Sequence, residues 1–166
     1  MSQAFLQAMS QAASSVCVVT TDGNFGRSGV TVSSMTSVTV GTTKPSLLVC
    51  VHHLSQAVPA IRGNGVYCVN LLKSDQRAIS DSFAGRTDAK GFDQFAFGQW
   101  DEAESGVPVL RDALASFECR LTQDLQVGTH HVFFGEVDKV EGGETGAPLL
   151  YHNRGYAVPS DAPFVA

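Results

Sequence analysis

Two adjacent histidines, His130 and His131, stand in the stretch GTHHVFFGEV at 128–137, which otherwise has the composition of a β-strand. Successive side chains of a strand point to opposite faces. His130 therefore shares one face with Val132, while His131 shares the other face with Phe133. Only one of the two histidines can line a given pocket, and the other must face a different part of the protein.

Hydroxyl side chains are concentrated in a second predicted strand, GVTVSSMTSV at 29–38, which contains Thr31, Ser33, Ser34, Thr36 and Ser37. Two interpretations are open for this segment. It is either an exposed edge strand rich in Thr and Ser, or a wall of backbone groups and hydroxyls that binds a flat polar ring.

A serine in VHHLSQ (51–56) follows an apolar strand and precedes a predicted helix. The hydroxyl of Ser55 and the adjacent N–H groups could bind a phosphate, because helix N-termini attract anions. The same position is equally typical of an ordinary N-cap.

Other kinds of site are disfavoured by spacing. The glycines of DGNFGRSG (22–29) are spaced G-x-x-G-x-x-G between two strands, which matches neither a dinucleotide-binding fingerprint nor a P-loop and predicts a hairpin turn. The paired histidines place neighbours on opposite strand faces, so a metal centre is not expected. The sequence contains no G-x-S-x-G segment, the motif that would indicate a serine hydrolase.

Composition also limits the kind of partner. The net charge is -5 and the eleven Lys and Arg residues are scattered, which argues against nucleic acid. Charged residues make up 16% of the chain against the usual ~25%, which favours burial of part of the surface in an oligomer. We expect no targeting segment and no membrane span. The four cysteines lie among apolar residues without CxxC spacing, which predicts buried free thiols in a reducing cytoplasm.

Residue periodicity predicts a mainly β fold with a few short helices in a single domain, 1–166. Helices are expected at 2–14, near Pro59, and at 74–85 with Ser74 as N-cap and Gly85 as C-cap. Strands are expected at 15–21, 30–40, 46–51, 66–72, 115–127, 130–141 and 148–156. Because long βα crossovers are absent, these strands favour a closed antiparallel barrel.

Six segments, in this order, resemble the short-chain flavin reductase family, which includes the reductase components of two-component flavin monooxygenases such as that of 4-hydroxyphenylacetate 3-monooxygenase. The segments are GVTVSSMTSV (29–38), PSLLVCVHHLS (45–55), CVNLL (68–72), SFAG (82–85), GTHHVFFGEV (128–137) and LLYHNRGY (149–156). The resemblance spans roughly Phe5 to Tyr156 and implies an FMN-binding split β-barrel that forms a homodimer.

The resemblance also implies roles for individual residues. The flavin contacts would be Thr31, Val32, Ser33, Ser34, Ser37, His52, Ser55, Phe83, Ala84 and Gly85. The residues on the NAD(P)H side would be His130, Arg154 and Tyr156, with His130 orienting the nicotinamide and His131 facing the barrel or a subunit neighbour.

The activity implied by the resemblance is reduction of FMN or FAD by NADH or NADPH, with reduced flavin supplied to a partner flavin-dependent monooxygenase. A flavin-binding electron carrier, or another non-reductase flavoprotein on the same barrel, is the alternative. A pyridoxamine-phosphate-oxidase-like enzyme is disfavoured, because its basic phosphate-binding pattern is absent.

Overall fold

Strands dominate the computed structural model, which describes residues 2–41, 43–86, 93–142 and 145–160. Within these ranges the helices are α1 (Ser2–Met9), α2 (Ala57–Asn64) and α3 (Arg77–Phe83), with a short 3-10 helix at Gln94–Ala96. The strands are β1 (Ser14–Ser15), β2 (Cys17–Thr21), β3 (Ser28–Val32), β4 (Thr36–Thr39), β5 (Ser46–His52), β6 (Val66–Leu71), β7 (Trp100–Glu102), β8 (Pro108–Leu110), β9 (Ala115–Val127), β10 (His130–Gly142), β11 (Leu150–His152) and β12 (Gly155–Ala157).

Seven strands form one antiparallel sheet in the order β3-β2-β6-β9-β10-β5-β4. Two smaller sheets, β1-β11-β12 and β7-β8, flank it. Alternation determines which face of β5 is buried: Leu47, Val49 and Val51 point into the core, and the residues between them are more exposed. The expectation of a mainly β fold is confirmed.

The barrel is not closed by strand pairing within the described ranges, so the expectation of a closed barrel is wrong in this respect. β3 and β4 end the seven-stranded sheet and do not pair with each other. Ser34, in the segment between β3 and β4, binds β5 instead: its hydroxyl accepts a hydrogen bond from the Cys50 N–H (2.9 Å) and donates one to the Cys50 carbonyl (3.0 Å). The predicted single strand at 30–40 is therefore two strands, separated at residues 33–35.

The helices begin and end differently from the sequence-based expectation. α1 stops at Met9, and its apolar residues Phe5 and Leu6 are exposed. α3 begins at Arg77, and the predicted N-cap Ser74 instead uses its backbone N–H to bind the Ala147 carbonyl. None of the helices in the described ranges has the length and apolar character needed to cross a membrane.

All four cysteines are free, as expected. Cys17, Cys68 and Cys119 are buried, and Cys50 is half-buried beside the gap between β3 and β5. Burial raises the pKa of both Cys17 and Cys119 to about 12. These two thiols are therefore protonated, and so unreactive, at neutral pH.

Replacing Ser34 with Ala tests the bridge between the β3–β4 segment and β5. The substitution removes two hydrogen bonds and leaves the Cys50 backbone groups without their partner, so we expect the free energy of unfolding to fall by roughly 1–3 kcal/mol. Urea unfolding measures this change. The control is Ser33→Ala at the adjacent exposed position, where a change within about 0.5 kcal/mol is expected. Equal losses in both variants would contradict the bridging role.

Candidate active site

A cleft of about 780 Å³ opens along the free edge of β3, between the loop that follows β5 and the end of α3. Six of the predicted flavin contacts line it: Thr31, His52, Ser55, Phe83, Ala84 and Gly85. Its volume lies within the range of about 300–1,000 Å³ that is typical of ligand pockets.

Two smaller cavities adjoin this cleft, and Thr31 lines all three. One, of about 250 Å³, lies in the gap between β3 and β5 and is lined in part by Ser33, Ser34 and His130. The other, of about 150 Å³, lies between β3 and the β11–β12 hairpin and includes Tyr156. Val32 lines both smaller cavities. Together, the cleft and the two smaller cavities include every predicted site residue except two.

Ser37 and Arg154 are the two residues that lie elsewhere. Ser37 is on β4 beside a separate apolar cavity of about 160 Å³. Arg154 is exposed in the turn between β11 and β12, where Asn153 and Arg154 have φ values of 47° and 62°. Two successive positive φ values are typical of a type I′ hairpin turn, so local backbone geometry accounts for this position.

β3 supplies the cleft with backbone groups more than with hydroxyls. It pairs with β2 on one side only, so the backbone N–H and C=O groups of its other edge face the cleft. The Thr31 hydroxyl is already used, because it donates to the Ser80 carbonyl (2.7 Å), and the Ser34 hydroxyl binds the Cys50 backbone. The predicted wall is therefore chiefly an unpaired strand edge.

Gly29 allows α3 to approach this edge closely. A Cβ atom at position 29 would lie 2.5 Å from Cε1 of Phe83, which is closer than packed atoms tolerate. The Phe83 ring also makes edge-to-face contacts with Phe95 and Trp100, at centroid distances of 5.0 and 5.5 Å. The glycine of the hydroxyl-rich segment is thus explained by packing at the floor of the cleft.

The two histidine pairs meet at one end of the cleft. His52 and His130 are cross-strand partners on β5 and β10, and their rings are in edge-to-face contact with centroids 5.1 Å apart. Nδ1 of His52 accepts from the Leu54 N–H (3.3 Å), which places the proton of the neutral ring on Nε2. His130 is exposed toward the cavity, with Nδ1 3.0 Å from the Thr129 hydroxyl.

His131 points away from the cleft, as the strand alternation predicts. It is buried, its ring stacks on Phe133, and its Nδ1 lies 2.6 Å from Oδ1 of Asp124. Since an ionised carboxylate can only accept, Nδ1 of His131 carries the proton. Of the two expected surroundings of His131, the barrel or a subunit neighbour, the ring has the first, since it packs beside the core residue Phe133.

Ser55 lies two residues before α2, whose N-cap is Gln56. Its hydroxyl accepts from the Ala57 N–H (3.3 Å), and its carbonyl accepts from the Val58 N–H (3.1 Å). Ser55 is therefore not the N-cap residue itself, although its hydroxyl binds an N–H of the first turn of the helix. The hydroxyl also borders the cleft, so its predicted contact with a phosphate stays a prediction.

Arg27 is a cleft residue that the sequence-based reasoning did not select. It is the one Lys or Arg among the described residues that line the large cleft. Its guanidinium lies over the Phe95 ring, 4.0 Å from the centroid, and its Nε is 3.8 Å from Asp22. Arg27 could have been identified from the sequence by its position, because it is a cation inside the glycine-rich turn and lies two residues before the hydroxyl-rich strand.

Tyr156 is held to α3 by a polar network that the sequence did not reveal. Its hydroxyl donates to Asp81 (2.7 Å) and contacts Ser80 (2.9 Å), and Arg86 binds both Tyr156 and Asp81. Burial raises the pKa of Asp81, but hydrogen bonds from Tyr156, Arg77 and Arg86 outweigh it and lower that pKa overall. The ionised Asp81 thus holds Tyr156 in place in the lining of the 150 Å³ cavity.

Comparison with known proteins agrees with this geometry. The sequence profile described as "Flavin reductase like domain" matches residues 9–160. A relative from Acinetobacter baylyi named FMN reductase (NADH) RutF is 42% identical over 157 residues, covering 95% of this chain and 81% of the relative.

Solved structures with the same fold include the flavin reductase PheA2, which is 30% identical with a TM-score of 0.85 over 97% of this chain and 99% of PheA2. BorF, the flavin reductase component of a bacterial two-component tryptophan halogenase, is 28% identical with a TM-score of 0.83 over 98% of this chain and 100% of BorF. The chain described here belongs to the flavin reductase-like family.

Proposed function

We propose that this protein transfers a hydride from NADH to FMN and releases the reduced flavin to a separate flavin-dependent monooxygenase. The choice of FMN and NADH, over FAD and NADPH, is supported by the names of the curated relatives. The observation that carries the proposal is that three neighbouring cavities share Thr31. The large cleft is lined by six of the predicted flavin contacts, and the two smaller cavities are lined by the predicted NAD(P)H residues, one by His130 and the other by Tyr156.

The residues present fit a flavin. A flat ring with donors and acceptors along one edge matches the unpaired backbone edge of β3, and Arg27 with Ser55 gives the cleft a cation and a hydroxyl suited to a phosphate. When bound, the flavin supplies the hydride-accepting chemistry. The protein's own part is to hold the two ring systems in contact, to orient them and to exclude water.

No side chain is required to act as a proton donor in this proposal. His52 and His130 close the end of the cleft, and the neutral His52 ring presents an Nε2–H. We assign His130 an orienting role toward the nicotinamide.

The central test is oxidation of NADH with and without added FMN, FAD or riboflavin. A rate that depends on added flavin is expected. Tight flavin binding without turnover would favour the alternative, a flavin-binding electron carrier, and would overturn the reductase proposal.

We also propose a homodimer in the cytoplasm. The low charge fraction supports the dimer, as do Val40 and Val140, which are exposed and line the apolar cavity beside Ser37. The four free cysteines support the reducing compartment. Sedimentation equilibrium should give twice the chain mass of 17.6 kDa. A species of 17.6 kDa at micromolar concentration would contradict the dimer.

Single substitutions at the adjacent histidines should have separate effects. His130→Ala should lower kcat/KM for NADH by about 10–100-fold with little change in melting temperature, because a lost orienting contact costs a few kcal/mol at most. His131→Ala should chiefly lower the melting temperature, with a smaller loss of kcat/KM per folded enzyme than His130→Ala. Steady-state kinetics and melting curves on both variants decide the point, and the reverse pattern would invert the assigned roles.

Removing either proposed phosphate contact should weaken binding of FMN more than binding of riboflavin, which lacks the phosphate. For Ser55→Ala and Arg27→Gln we expect about tenfold or more in the FMN Kd, the value of a hydrogen bond to a charged group. Arg111→Gln is the control, because Arg111 pairs with Asp101 outside the three cavities. Equal losses for both flavins would place the phosphate elsewhere.

A further inference from the structure

Asp124 lies where the β9–β10 hairpin passes the loop that lines the cleft, and its two carboxylate oxygens bind different elements. Oδ1 lies 2.6 Å from Nδ1 of His131 on β10, and Oδ2 lies 2.8 Å from Nε of Arg62 in the last turn of α2. With its backbone included, Asp124 is exposed like the other hairpin residues at 122–130, but its side chain is only 17% exposed. These two partners cover it.

The β10 end of this network fixes the strand that carries His130. His131 is held on one side by Asp124 and on the other by stacking on Phe133, which is fully buried. Because neighbouring strand residues point to opposite faces, locking the His131 ring also sets the direction in which His130 leaves the strand.

The α2 end fixes the other wall of the same cavities. α2 follows directly on the loop after β5, and this loop contains Leu54 and Ser55, which both line the cleft. That loop is tied to the hairpin a second time, because the His53 N–H donates to the Thr129 carbonyl (2.9 Å). The Asp124 carboxylate thus connects α2, which follows the cleft-lining loop, to the strand end that carries His130.

We infer that Asp124 is a positioning residue, which sets the distance between the loop that binds the flavin and the strand end that carries His130. The inference rests on the proposed function for the identity of the ligands. The Arg62 side chain is 59% exposed, and ion pairs with an exposed partner contribute little to stability. The network therefore acts on the geometry of the cleft more than on the stability of the fold.

Asp124→Asn tests this role with little change in shape. The amide oxygen can still accept from His131, but an NH₂ group replaces the oxygen that faces Arg62, so two donors meet. We expect the FMN Kd to rise about tenfold and kcat at saturating FMN and NADH to fall about as much, since both walls move. Arg62→Gln should give the same losses, and the double variant should be no worse than either single variant. Arg62→Lys, which keeps the charge, should retain most of the affinity.

Asp138→Asn is the matched control, because Asp138 on β10 also joins two side chains, Lys44 and Arg120, but neither partner belongs to α2, to the loop after β5 or to the strand end that carries His130. It should leave the FMN Kd and kcat within about twofold of wild type. FMN affinity is read from flavin fluorescence, kcat from NADH oxidation, and stability from melting curves.

Three results would overturn the inference: an unchanged FMN Kd in Arg62→Gln, equal losses in Asp124→Asn and Asp138→Asn, or additive losses in the double variant. If Asp124→Asn fails to fold, Arg62→Gln decides alone, since its exposed side chain can be replaced without opening the core. Absence of flavin-dependent NADH oxidation in the wild type is a different result, because it would refute the proposed function itself.

Discussion

The unpaired edge of β3 is the constraint on which the rest of the site depends. Backbone groups in a sheet are normally satisfied by a neighbouring strand, and an open edge must be covered or used. Here β3 stops at Val32, and Ser34 crosses to Cys50 in place of further strand pairing. If β3 continued alongside β5, the two strands would pair, and neither the free edge of β3 nor the cavity between the strands would exist. The break at residues 33–35 therefore creates the site.

Contacts between β3 and α3 hold this open edge in place. Thr31 donates to the Ser80 carbonyl of α3, and the absence of a side chain at Gly29 lets the Phe83 ring pack against the strand. Tyr156 from the C-terminal hairpin is joined to the same helix through Asp81. α3 thus links β3 to the hairpin, so the cleft and the smaller cavity beside Tyr156 share one rigid wall.

Much of the strand content was predictable because β-branched and aromatic residues alternate over long stretches. β9 was predicted with its observed bounds, and the opposite faces of His130 and His131 followed from alternation alone. Strand partners were not predictable in this way, because alternation within one strand carries no information about its neighbour in the sheet. The open barrel and the division of residues 30–40 into two strands therefore appear only in the structure. Arg154 was placed near the cleft, yet the turn geometry between β11 and β12 carries it elsewhere.

The structure separates the two kinds of group that the sequence combined in one predicted wall, backbone groups and hydroxyls. The Thr31, Ser34 and Ser55 hydroxyls all bind protein backbone, so few side-chain polar groups remain to contact a ligand. A site that binds its ligand mainly through a strand edge and one cation forms few charge-assisted contacts, which are the strong ones. Such a site suits a flavin that enters oxidised and leaves reduced, because a ligand that acts as a substrate must also be released. Hydride transfer needs alignment of two rings more than it needs tight binding, and the geometry around Thr31 is built for alignment.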